Sequence, residues 1–124
     1  MSSHDSSSMS ASLLRAGANL RYRIDAFTVP ASARAEFDAL MRRNLAFLAT
    51  LPGFASHTVF EKTDGPTTFN VVTIAVWDSQ EAIAAAGAKV RAYYQSIGFD
   101  LPAVLDRLGI AASLGYYHAP TEAQ

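Results

Sequence analysis

The chain contains no cysteine. That excludes disulfides, thiolate metal sites and a cysteine nucleophile. Neither sign of charge predominates: 10 Lys and Arg against 11 Asp and Glu leave a net charge of -1. The basic face that a nucleic-acid footprint needs is therefore missing. No run approaches the roughly 18 apolar residues of a membrane span. The polar, Ser-rich start lacks the apolar stretch of a signal peptide. The expectation is a cytoplasmic protein with neither membrane nor nucleic-acid partners. There is no Gly-rich phosphate loop, Ser-His-Asp series or metalloprotease motif. What the chain does have is 124 residues, half of them apolar, enough for one domain with a real core.

The pattern centres on Phe69 to Ile83. Phe69, Val71, Ala75 and Trp77 alternate with Val72, Ile74 and Val76, so both faces of this strand are apolar and both are covered. Asp78, with Glu81 three residues on, reads as the cap of the helix that follows. Before it, Leu20 to Thr28 alternates as a first strand, with Tyr22, Ile24 and Ala26 opposite Arg21, Arg23, Asp25 and Phe27. Ala33 to Thr50 carries Phe37, Leu40, Met41, Leu45 and Leu48 at helical spacing, with an Arg34, Asp38, Arg42 charge ladder outside. Leu51-Pro52-Gly53 stops that helix. Phe54 to Lys62 is a second strand, joined through a Thr63 to Thr67 turn to the third. The helix from Ser79 ends at Gly98. A short helix opens at Asp100-Leu101-Pro102 and closes at Gly109, and Ile110 to His118 is a fourth strand.

The order is β-α-β-β-α-(α)-β, the ferredoxin-like, split βαβ arrangement. Right-handed crossovers put both main helices on one face of a four-stranded antiparallel sheet of order 4-1-3-2. The fold class is α+β. Residues 1–18 read as a Ser-rich tail that cannot repay its own ordering, 19–118 as the domain and 119–124 as a short tail. The helix-free sheet face is apolar, and a bare apolar face of that size marks an interface. The expectation is a homodimer joined sheet to sheet.

The Leu51-Pro52-Gly53-Phe54 helix end, the hairpin and the Trp77-Asp78-Ser79-Gln80-Glu81-Ala82 junction resemble the antibiotic biosynthesis monooxygenase family, dimeric α+β barrels. The resemblance covers about Leu20 to His118. It implies a cofactor-independent monooxygenase of small aromatic, polycyclic or quinol-type substrates; other members bind haem, and many have no assigned activity. The alternative is a non-catalytic dimeric ligand-binding or stress-associated module on the same fold. Actinorhodin-type members carry an Asn four residues before the Trp, where this chain has Thr73. Asn70 is seven residues before Trp77 and points to the other face. Haem-degrading members carry a His about ten residues after the Trp, where this chain has Gly87. Asp25 takes the place of a polar first-strand residue of that branch.

Three residues are candidates for catalysis, each with a structural alternative. Trp77 is a pocket wall for a flat substrate or a core residue closing the sheet. Asp25 is a base lifted by burial or a partner of Arg21, Arg23 or an Arg of a second copy. His57 offers an imidazole and is a base or a hydrogen-bonded residue at the dimer seam. Phe27, Phe54, Thr73, Tyr93 and Tyr94 are candidate substrate contacts, one of the two tyrosines facing the sheet and the pair equally at home in the core. No metal site is expected within one subunit, since His57 and His118 fall on opposite edge strands, an intersubunit site being the lesser alternative; no cofactor is expected, with Gly87 in the place of the haem ligand. The partners expected are a second copy and a small aromatic ligand.

Overall fold

The computed structural model describes residues 17–120; most of the expected Ser-rich tail, and residues 121–124, lie outside them. Strand β1 (Arg21–Thr28) leads through a short 3-10 turn at Ala31–Ala33 into α1 (Arg34–Leu48). β2 (Phe54–Glu61) and β3 (Val71–Trp77) form the hairpin. Then come α2 (Gln80–Ser96), α3 (Leu101–Leu108) and β4 (Ala111–Tyr117). The sheet is antiparallel throughout, in the order β2-β3-β1-β4. This is the expected α+β, ferredoxin-like topology. No helix among the described residues is long and apolar enough to cross a membrane.

Alternation along β1 and β3 decides which side chains meet the helices. Arg23, Asp25 and Phe27 pair in register with Ala75, Thr73 and Val71, and residues directly opposite share a face. Phe27 and Val71 are almost wholly buried. Phe27 meets Phe37 of α1 edge to face, with ring centroids 5.0 Å apart. With Val29, Ala33, Leu105 and Ile110 they form one core cluster. The opposite face carries Tyr22, Ile24, Val72, Ile74 and Val76, only half-buried, and ends in Phe60 and Tyr117, both about half exposed.

The two sequence motifs turn out to be halves of one contact. Gly53 sits at φ +85°, and a Cβ there would lie 2.4 Å from the Cβ of Ala82. Only glycine allows both that backbone and that approach. The Asp78 amide donates to the Gly53 carbonyl at 2.8 Å. Phe54 then meets the Trp77 ring at 5.2 Å, nearly perpendicular. Leu51, Trp77 and Ala86 form a second core cluster around this junction.

Two local expectations need correction. The cap of α2 is Ser79, whose hydroxyl accepts from the Ala82 amide at 3.1 Å. Asp78 is drawn toward Gly53 instead, so the helix begins one residue later than the sequence suggests. The first helix is preceded by a 3-10 turn at Ala31–Ala33 rather than starting at Ala33. Asn70, excluded from the site by its spacing, braces the end of β1 instead. Its side-chain amide pairs with both the N–H and the carbonyl of Val29, at 2.8 and 2.9 Å.

Candidate active site

Between the sheet and the helices lies a cavity of about 320 Å³. Its floor is the inner face of β1 and β3: Arg23, Asp25, Thr73, Ala75 and Trp77. Its roof comes from the inner sides of α1 and α2, with Asn44, Leu48, Val90 and Tyr94. A second, more open space of about 500 Å³ runs between α1 and β2 and adjoins the first at Met41, Leu45, His57 and Thr73. The inner cavity gathers Arg23, Asp25, Asn44, Thr73 and Tyr94 on otherwise largely apolar walls.

The central polar element is an ion pair on one strand. Arg23 Nε donates to Asp25 Oδ1 at 2.6 Å. Two residues apart on a strand, they share a face. The Arg23 guanidinium also lies over the Tyr116 ring of β4, 4.9 Å from its centroid. Burial pushes the Asp25 carboxyl above its ordinary value, against the downward pull of Arg23. For Arg23, burial works to lower the pKa, but the contacts with Asp25 and Tyr116 together outweigh it and the guanidinium stays charged. The attraction favours the ionised form of both partners, so the rise at Asp25 is the work of burial. Burial likewise lifts the Tyr94 phenol, so it keeps its proton as a donor.

Trp77 is 5% exposed and forms the end wall of the cavity. Phe27 and Thr73 line it too. His57 reaches its rim through a β-bulge. The β2–β3 register slips between Phe54 and Ser56, so Phe54 opposes Trp77 while His57 opposes Ala75. Strict alternation from Phe54 would turn His57 to the outer face; the extra residue brings it inward. The remaining candidates stand back from the cavity. Phe54 supports Trp77 from behind, and Tyr93 stacks on Phe47 at 4.0 Å, leaving Tyr94 as the tyrosine that faces the sheet. Gly87, at the position of the haem-degrading branch's His, is on the wall and offers no ligand. Among the described residues no three His, Asp or Glu side chains gather as a metal site.

Residues 22–89 match the antibiotic biosynthesis monooxygenase family. The chain belongs to that family. A cofactor-independent oxygenase of this fold, SnoaB from Streptomyces nogalater, is 32% identical, with 83% of this chain and 95% of that one covered and a TM-score of 0.61. The haem degrader MhuD from Mycobacterium tuberculosis is 23% identical over 80% of this chain and 94% of its own, with a TM-score of 0.55. A conserved protein from Methanosarcina mazei Go1 is 14% identical over 84% and 97%, with a TM-score of 0.60. At those last two identities the likeness is one of fold. No curated protein matches the chain.

Two cavity residues escaped the sequence reading. Asn44 belongs to the inner side of α1, and the signal was a polar residue three after Met41 and four before Leu48. Tyr116 packs its ring under Arg23 on the helix side of β4.

Proposed function

We propose that this chain is a cofactor-independent monooxygenase of small, flat, ionisable aromatics such as anthrones or quinols. The observation that carries the reading is Asp25: a carboxyl lifted by burial, on the floor of an apolar cavity large enough for a small ligand. An anthrone's ring methylene is acidic because the resulting anion spreads onto the ring oxygen. Asp25 takes that proton. The electron-rich anion reduces O2 by one electron, and the two radicals combine into a C–O bond, giving a hydroperoxide after protonation. Loss of water leaves a carbonyl. One oxygen atom enters the product and the other leaves as water, with all electrons supplied by the substrate. Trp77 and Tyr94 stack against the rings and keep water out, which strengthens every charge interaction inside.

The test is a panel of anthrones and quinols incubated with the protein in air and under argon, with metal chelator present. Oxygen-dependent quinone formation above the uncatalysed rate is expected. Trp77→Phe keeps most of the apolar wall but lacks the indole N–H; it should cut turnover tenfold or more with a stability change of no more than about 1–2 kcal/mol. Tight binding without turnover would favour the non-catalytic ligand-binding reading, which Thr73, in place of the oxygenases' Asn, supports.

The reading includes a homodimer. The open sheet face offers Tyr22, Ile24, Val72, Ile74 and Val76 as one apolar patch. Light scattering at micromolar concentration should give about twice the 13.3 kDa chain mass; a soluble species of single mass would contradict it.

A further inference from the structure

Asn44 is the one fully buried polar residue among those described, 5% exposed on the inner side of α1. An amide is costly to bury there unless its hydrogen bonds are made. Half of them are. Its Oδ1 accepts from Arg43 Nε at 3.3 Å and from Nη2 at 3.2 Å. A guanidinium only donates, so these contacts fix the oxygen toward Arg43 and turn the Nδ2 hydrogens the other way. The Arg43 guanidinium is itself steadied over the Phe99 ring, 5.1 Å from its centroid. No side-chain nitrogen or oxygen is both buried and unpartnered among the described residues. The Asn44 amide finds no acceptor among them, and Asn44 lines the cavity. Its N–H groups thus open on the cavity space, across from the floor that carries Asp25.

We infer that Asn44 is a catalytic residue: its Nδ2 donates to the ring oxygen on which the substrate's negative charge collects. The inference rests on the oxygenase reading above. Asp25 removes the proton from the floor, the electron pair stays on the substrate, and Asn44 receives the resulting oxyanion at the roof. A donor oriented beforehand by Arg43 needs no rearrangement when the charge appears. Two walls then divide the work, with base below and anion-binding donor above.

The experiment uses dithranol under argon, where ionisation of the bound ligand is read from its absorbance without oxidation. Asn44→Leu and the near-isosteric Asn44→Asp should each make bound dithranol tenfold or more harder to ionise than in the parent protein. Binding of danthron, equally flat but without the acidic methylene, should change by less than about threefold. If a variant fails to fold, the parent protein still decides. The Asn44 side-chain N–H signals in a ¹⁵N-correlated NMR spectrum should move downfield as bound dithranol ionises. Unchanged ionisation in folded variants, or stationary Asn44 signals, would overturn the role of Asn44 and leave the oxygenase reading intact. A parent protein that neither binds dithranol nor oxidises any panel member would overturn both.

Discussion

Replacing Asp25 with Asn should lower turnover of an anthrone-type substrate by about 10²- to 10⁴-fold, the usual worth of a positioned general base. Asn keeps the shape and can still accept from Arg23 Nε, so the cavity should survive; losing the charge-assisted bond costs about 1–2 kcal/mol. The pH profile separates this role from a structural one. Asp25 acts only when ionised, and burial raises its pKa above the ordinary 3.8. Turnover should therefore climb with pH through that raised value and level off above it. The Asn variant should lack this limb. Stability runs in the opposite sense. Because the folded pKa lies above the unfolded one, ionising Asp25 is less favourable in the folded chain. Its contribution to stability falls as pH rises from the unfolded to the folded value, and the Asn variant should not lose stability across that window. An acid limb that persists unchanged in Asp25→Asn would move the base elsewhere, with His57 at the cavity rim the next candidate.

The second large effect is on stability. Gly53→Ala adds a methyl at φ +85°, with its carbon 2.4 Å from the Ala82 Cβ. The left-handed backbone costs about 1–2 kcal/mol, and forcing α2 away from the junction about 1–3 kcal/mol more. Together they should lower Tm by about 10 °C or more. Gly109, which closes α3 at φ +69°, has nothing within 4 Å of a Cβ. Gly109→Ala should thus cost only the backbone share, about 1–2 kcal/mol. Equal melting temperatures for the two variants would mean that the Gly53–Ala82 approach contributes nothing. Since the Gly53 carbonyl also holds the Asp78 amide, the Ala variant should disturb Trp77 and lose ligand affinity along with stability.

The topology was legible because each element is locally consistent with the whole. Alternation in Arg21–Thr28 and Val71–Trp77, the helical stripe after Ser32 and the glycine stops all point to one sheet order, and that order put Asp25, Thr73 and Trp77 on a common face. The losses came where one residue breaks a period. The bulge after Phe54 decides which way His57 points, and nothing in Phe54-Ala55-Ser56-His57 announces the slip. Asp78 and Ser79 are both good caps, and the choice between them is made by Gly53, a residue distant in sequence. Asn44 was hidden by its neighbours: a helix face rich in Met and Leu reads as core, and the reason for a polar residue within it appears only once Arg43 and the cavity are in place.

The central claim is that the substrate itself supplies the electrons and molecular oxygen the new atom. It is tested by oxidising dithranol with the chelator-treated protein under ¹⁸O2 and analysing product and water by mass spectrometry. The account predicts one labelled oxygen per quinone formed and the second label in water, with no added reductant. Unlabelled quinone formed under ¹⁸O2, or oxidation that stops once metal is removed, would contradict it.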